Sequence, residues 1–270
     1  MKINFMRRKI KYVFKLKNIF VYPVILFKII LKIRNWPTFL LNYIGVLNTS
    51  NLYKLRNNLK IRTGFGIDTA TILVTLVNND YGLPDENSII IDIGANIGTY
   101  SINCAKEIKK CKIYAFEPEE NNYKILLENI KLNNFDSKII SEKTAIYDKN
   151  GKDKLYISTY SPFHSMESKS YKKFQIVKKE SLDDIFEKYD INRCDLLKID
   201  CEGSEYKIIK CAKKNSLNKI QEIRMEYHDI DEIDNICNLI KYLSANGFVK
   251  TLKKRNSDKS GIIWFKKLKI

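Results

Sequence analysis

The sequence predicts an α/β fold built on an open, mostly parallel sheet, and three observations carry that prediction. Residues 89–93 (Ile-Ile-Ile-Asp-Ile) are a short apolar run entering the glycine-punctuated stretch Gly94-Ala95-Asn96-Ile97-Gly98, which reads as a buried strand, a tight turn and the start of a helix. Residues 112–116 repeat the pattern and end in Glu117-Pro118. Residues 195–200 and 220–227 repeat it twice more, with helix-patterned segments between, the alternation that builds a parallel sheet with helices on its faces.

Taken from the amino end, Arg7, Lys11 and Lys15 recur at intervals of four, as do Lys28 and Lys32, so each set shares one helical face. The apolar run 19–27 is closed by Lys28, well short of the roughly 20 apolar residues that span a bilayer. No small-x-small cleavage site follows it, which argues against a secretory signal. Residues 1–36 admit two readings: a helix kinked near Pro23 that lies on an anionic membrane surface, or a helical cap packed on the rest of the chain. Residues 36–58 are expected to form short helices, and 1–58 are set apart as a basic extension from a larger domain over 59–270. Residues 59–63 alternate as a strand, 64–69 are a turn, and 70–77 a helix.

Beyond the opening strand and turn, residues 100–109 and 119–133 have helical spacing, the second with Leu126, Leu127 and Ile130 on one apolar face. Residues 138–141 are the third strand, ending in a turn at 144–146. Asp148-Lys149-Asn150-Gly151 signals a hairpin turn before a strand over 154–159. Residues 160–166 are a loop, 174–178 a strand, and Ser181 caps the helix that follows. The fourth and fifth core strands are 195–200 and 220–227. An amphipathic helix over 231–244 stops at Asn246-Gly247, and 248–252 with 261–267 form a closing hairpin.

Charge is divided along the chain. Fourteen Lys and Arg and no Asp or Glu precede Asp68, so most of the net charge of +17 lies there and the remainder is nearly neutral. A cationic surface confined to one end suits tethering better than a polyanionic substrate bound across the domain. The six cysteines, Cys104, Cys111, Cys194, Cys201, Cys211 and Cys237, fall at no C-x-x-C spacing, which predicts free thiols, no metal site, and a reducing cytoplasm.

The turn after the first strand narrows the ligand. It lacks G-x-G-x-x-G and G-x-x-x-x-G-K-[ST], the loops that cradle a pyrophosphate, and reads D-x-G-x-N-x-G instead. Asp92 at a strand end suits an amino group or hydroxyls, and Glu117 at the next strand end can accept both hydroxyls of a ribose. Ribose without pyrophosphate, plus an amino-acid head group, describes S-adenosylmethionine.

These segments, with Ala115-Phe116-Glu117-Pro118, Asn129 to Asn133 and above all Leu197-Lys198-Ile199-Asp200-Cys201-Glu202-Gly203-Ser204-Glu205, resemble the signature segments of FkbM-type S-adenosylmethionine-dependent methyltransferases over about residues 60–266. The resemblance implies a seven-stranded Rossmann-like class I methyltransferase fold, mostly parallel with one antiparallel strand. It also implies methyl transfer to oxygen on sugars or other small molecules. On that basis Asp92, Gly94, Asn96, Gly98 and Glu117 are expected to hold the cofactor, with Asp200 beside it and Thr144 and Ala145 at the adenine. Asp68 is either a further contact or a helix cap. His164 and Ser165 are the acceptor-loop candidates. Asp200, Glu202, Glu226 and His228, at strand ends that face the sulfonium, contend for the general base, and His228 has the ordinary pKa best suited to neutral operation.

Three alternatives compete with this reading. A base-directed nucleic-acid methyltransferase carries [DN]-P-P-[YFW] after the fourth strand, where this chain has Asp200-Cys201-Glu202-Gly203; RNA ribose methylation is the surviving nucleic-acid alternative. Mg²⁺ held by paired carboxylates is known from catechol-type enzymes and gains no support from the resemblance. A non-catalytic membrane-associated scaffold on the same fold is the third reading. The expected acceptor is a membrane-proximal saccharide or glycan precursor.

Overall fold

The computed structural model describes residues 21–157, 166, 173–255, 257 and 259–268. Residues 1–20 and the acceptor-loop candidates His164 and Ser165 lie outside the described residues. Among the described residues no helix is long and apolar enough to cross a membrane.

The chain begins with α1 (Val21–Lys32) and α2 (Trp36–Tyr43). Next comes a strand absent from the sequence reading of 36–58, β1 (Leu52–Lys54), which pairs antiparallel with β2 (Lys60–Arg62). The division expected between residues 58 and 59 thus falls inside the turn of a hairpin. Ile29, Ile33, Phe39, Tyr53 and Ile61 belong to one buried cluster with Ile90 and Tyr100, so the described part of the extension shares the core of the larger domain. The link is also polar: Lys32 Nζ donates to Leu76 O (2.9 Å) and Thr63 N to Asn51 O (2.9 Å).

The hairpin is short, and its outer strand would leave backbone groups unpaired. Two asparagines one helical turn apart close that edge. On α5 (Glu120–Leu132, preceded by α3, Thr69–Ile72, and α4, Thr99–Glu107), the buried Asn129 accepts from Arg62 N (2.6 Å) and donates to Arg62 O and Ile97 O (2.9 Å each). Asn133, just past the helix end, accepts from Lys60 N (2.9 Å) and donates to Lys60 O (2.7 Å). The i,i+4 spacing on a helix matches alternate residues of an extended strand, so each amide stands in for a missing strand partner.

The main sheet is built from β3 (Ser88–Ile93), β4 (Cys111–Phe116), β5 (Ile139–Glu142), β9 (Cys194–Ile199), β10 (Ile220–His228), β11 (Phe248–Arg255) and β12 (Ser260–Lys267). Their spatial order is β11-β12-β10-β9-β3-β4-β5. Numbered within the sheet that is 6-7-5-4-1-2-3; β12 alone runs against its two neighbours. β6 (Ala145–Tyr147), β7 (Gly151–Ile157) and β8 (Lys173–Ser181) form a separate three-stranded sheet. Helices α6 (Leu182–Lys188), α7 (Glu205–Cys211), α8 (Lys214–Lys219) and α9 (Ile236–Ala245) complete the layers. The Rossmann-like class I methyltransferase fold is therefore present, reversed strand included.

Side chains alternate across the strands and divide the core in two. Ile91, Ile93, Leu197 and Ile199 pack in the layer with α6 and α7, whereas Ile90 and Leu196 pack in the layer with α4. Each fully buried isoleucine or leucine contributes about 1.5–3 kcal/mol. Asp92 and Lys198, at the alternate positions, must therefore enter the α4 layer, and they are register partners on adjacent strands.

Asn129→Ala is expected to lower unfolding free energy by about 2–4 kcal/mol, because it leaves buried backbone groups unpaired. Asn133→Ala, whose bonds are water-accessible, should cost under about 1 kcal/mol. Urea titration of both variants measures the difference.

Candidate active site

A cavity of about 430 Å³ opens at the carboxyl ends of β3, β4, β9 and β10, where an open parallel sheet binds its ligands. The glycine turn forms its floor. Gly94 has φ +70° and a side-chain carbon there would lie 1.9 Å from the Asp200 carbonyl oxygen, so only glycine lets β9 approach. Asn96 also has positive φ (52°). Its amide N donates to Glu117 Oε2 (2.8 Å), and Glu119 N donates to Oε1 (2.9 Å). Burial nevertheless raises Glu117 to about 7, against the lowering effect of those two amides. Gly94, Asn96, Glu117, Thr144 and Ala145 all line the cavity. Gly98 instead packs under α5: a side-chain carbon there would lie 2.3 Å from Leu126 Cδ1.

Asp92 departs from its expected position. It is fully buried, its Oδ2 accepts from Ser101 Oγ (2.6 Å), and its Oδ1 lies 3.0 Å from Lys198 Nζ. It is not among the cavity-lining residues; the alternation of β3 turns its carboxylate sideways under α4 rather than out of the strand end. Asp68 is also buried away from the cavity. Its Oδ2 accepts from Gly64 N (2.8 Å) and Phe65 N (3.0 Å), a turn-capping role.

The four base contenders do converge: Asp200, Glu202, Glu226 and His228 line the same cavity. Asp200 Oδ2 accepts from Tyr81 Oη (2.9 Å) and lies 3.8 Å from Lys198 Nζ. Glu202 sits at positive φ (51°), a backbone state that costs a non-glycine residue of order 1 kcal/mol or more and collects at functional sites. Burial raises Glu202 to about 8; the charge of His228 opposes this, while Asp200, Glu226 and Glu205 reinforce it.

His228 is not the neutral imidazole its ordinary pKa suggests. Burial pushes its pKa down, but a hydrogen bond to the fully buried Glu205 (Nδ1 to Oε1, 3.2 Å) and the charges of Glu205, Glu202 and Glu226 outweigh burial and raise it to about 10. Glu202 lies 3.5 Å and Glu226 4.0 Å from Nε2. At neutral pH the ring is a cation and has no lone pair with which to take a proton.

Sequence reasoning missed Tyr81, Lys198, Glu205 and Thr99. Lys198 and Glu205 stand inside the quoted Leu197–Glu205 segment, so that segment was their signal. Tyr81 has none, being 119 residues from its partner. The buried hydroxyls of Thr99 and Thr144 have no hydrogen-bond partner and line the cavity, which marks them as sites for a polar ligand. Among the described residues no group of three or more His, Cys, Asp or Glu is arranged to hold a metal ion.

The sheet order and the carboxylate-rich cavity at its switch point define an α/β methyltransferase. The Methyltransferase FkbM domain matches residues 92–250, and the chain belongs to that family. The hexuronic acid methyltransferase AglP of Haloferax volcanii is 24% identical, the alignment covering 66% of this chain and 71% of the relative. Methyltransferase sdnD of Sordaria araneosa is 25% identical, covering 52% of this chain and 66% of the relative. Among solved structures, methyltransferase FkbM from Methylobacillus flagellatus KT aligns at 17% identity with a TM-score of 0.49 over 71% of this chain. The alignment takes in 47% of that structure, so the chain spans about half its length.

His228 is expected to titrate near pH 10 by ring-carbon NMR, and Glu205→Gln should return it towards its ordinary 6.5. The sign for stability follows from the folded value exceeding the unfolded one. The His228 contribution is complete below about pH 6.5 and is lost as pH climbs through about 10. Titration near 6.5 in the intact protein would contradict the geometry described.

Proposed function

We propose that the protein is an S-adenosylmethionine-dependent O-methyltransferase acting on a hydroxyl of a saccharide, glycan precursor or similar small molecule. The supporting observation is Glu117, a buried carboxyl group at the end of β4 that lines the cavity and is fixed by two backbone amides. Each of its oxygens keeps acceptor capacity for a ribose hydroxyl. The partnerless hydroxyls of Thr99 and Thr144 fit the polar edges of a bound nucleoside, and Asn96 and Ala145 complete its surround. The machinery is assigned to residues 59–270, with 1–58 accessory; every cavity-lining residue comes from Ala70 onward.

The cofactor supplies an electrophilic methyl group on a sulfonium. The chain supplies placement and proton transfer. Asp200, held by Tyr81 and close to Lys198, accepts a hydrogen bond from the acceptor hydroxyl and orients its oxygen. Glu202, with its pKa raised to about 8, is the group whose basicity best matches neutral operation, and we assign it the acceptor proton. His228, a cation at that pH, stays between Glu202 and Glu205 and stabilises Glu202 once ionised. Glu226 accepts from a second acceptor hydroxyl. Such a run of carboxyl oxygens suits polyols, and the hexuronic acid named for the Haloferax volcanii relative favours a sugar as the class.

Calorimetry with S-adenosylmethionine is expected to detect binding that Glu117→Ala weakens by about 100-fold, from two lost charge-assisted hydrogen bonds. Labelled cofactor offered with alkyl glycosides, lipid-linked saccharides and total RNA should mark the saccharides; label confined to RNA would overturn the acceptor reading. With the best acceptor so found, kcat/KM for S-adenosylmethionine, which reports the unliganded protein, should rise with pH through about 8. Glu202→Gln should lower kcat by about 100-fold or more and flatten that rise. An unchanged profile in the variant would remove Glu202 from the role.

A further inference from the structure

The helix α1 is apolar on two opposite faces. Ile25, Ile29 and Ile33 face the core, with Ile29 and Ile33 essentially inaccessible. Val24, Phe27 and Leu31 lie on the other side at i, i+3 and i+7 spacing and are 54%, 61% and 54% exposed. Eight of the sixteen exposed large apolar residues in the described chain fall between Val24 and Phe65. A helix apolar all round is ordinarily buried on every side, and among the described residues this one is covered on one side only.

The charge of the same region limits what can cover the other. No acidic residue occurs before Asp68, and Lys28, four residues after Val24 and three before Leu31, is exposed beside the stripe. A second copy docking by a two-fold axis would bring two such cationic regions together. Nucleic acid would satisfy the cations and leave Val24, Phe27 and Leu31 against phosphate. An anionic bilayer surface satisfies both, with hydrocarbon for the stripe and lipid phosphate for the cations.

We propose that the outward face of α1 is a membrane-docking surface that inserts Val24, Phe27 and Leu31 among the lipids of an anionic leaflet. The inward face anchors that surface rigidly: Lys32 Nζ donates to Leu76 O (2.9 Å) and Arg56 Nε to Ile30 O (3.0 Å). Leu76 lies in the π-helical segment Leu73–Val77, which also supplies Val74 and Thr75 to the active-site cavity. A docked α1 would thus hold the cavity wall beside the bilayer, where a lipid-linked acceptor would be presented. The docking itself does not depend on the acceptor being one.

The full chain is to be sedimented with vesicles of phosphatidylcholine and phosphatidylglycerol in equal parts, and with phosphatidylcholine alone. Binding is expected to the mixed vesicles and to be about tenfold weaker or more to the neutral ones, and weaker again when salt is raised from about 0.1 M to about 0.5 M. Phe27→Glu/Leu31→Glu should lose binding about tenfold or more, and the milder Val24→Ser/Phe27→Ser several-fold, both with unchanged thermal midpoint because the side chains are exposed. Either stable variant binding mixed vesicles as tightly as the natural chain would overturn the proposal. So would a natural chain that ignores vesicles but is a dimer that the variants dissociate.

Discussion

A buried ion pair, Lys198 with Asp92, fixes the geometry on which the site depends. The two residues are register partners on β9 and β3, the strands that flank the switch point of the sheet. Burial opposes the charge of Lys198, and Asp92 followed by Asp200 overcomes it, raising the amine to about 12. The ammonium also donates to Gly94 O (2.8 Å) and so ties the glycine turn to the end of β9. Buried pairs of this kind contribute little net stability, because desolvation of each ion costs several kcal/mol. Their effect here is positional: the Gly94 turn, the backbone of Asp200 and the carboxylate of Asp200 are held in one fixed relation.

That pair belongs to a polar row across one face of the sheet. Lys198 is in register with Arg224 on β10, and Arg224 with Trp264 on β12. Arg224 stacks on the Trp264 ring at 4.4 Å, pairs with Glu222 at 2.7 Å, and donates through Nη1 to Tyr81 O (2.8 Å). Tyr81 closes the row: its ring lies 5.5 Å from Lys198 Nζ and its hydroxyl reaches Asp200. A segment that precedes the first core strand thereby sets the orientation of a carboxylate at the end of the fourth. Burial and the nearby Asp200 charge raise Tyr81 well above the usual phenol range, so it remains a donor throughout the working pH range.

The sheet was legible because its strands are continuous apolar runs separated by helical spacing, a local signal. The same property hid the facing of Asp92. With isoleucine at 89, 90, 91 and 93, both faces of β3 look equally apolar, and nothing in the run says which layer receives position 92. Only the pairing with Lys198, 106 residues away, fixes it. Strand β1 is three residues long and pairs with β2, whose other edge is closed by Asn129 and Asn133, a tertiary device with no counterpart in the local pattern. Convergence of Asp200, Glu202, Glu226 and His228 could be read from topology, since parallel strands end together. The charge state of His228 could not, because it is decided by Glu205 Oε1 at 3.2 Å.

The proton inventory of the cavity ties cofactor and acceptor halves together. Glu117 and Glu202 are raised to about 7 and about 8, in both cases chiefly by burial, which penalises the charged form. Both line the one cavity. Any cation entering it favours the ionised form of each carboxyl group and draws both values down, and by linkage each ionised carboxylate strengthens the hold on that cation. Under the proposed reading the arriving charge is a sulfonium, so loading the donor and readying Glu202 as a base become one event. His228, clamped by Glu205 (Nδ1 to Oε1, 3.2 Å) and raised to about 10, keeps its own proton through it. A base held mostly protonated until the methyl donor is bound is thus a consequence of burying two carboxyl groups in one carboxylate-rich cavity.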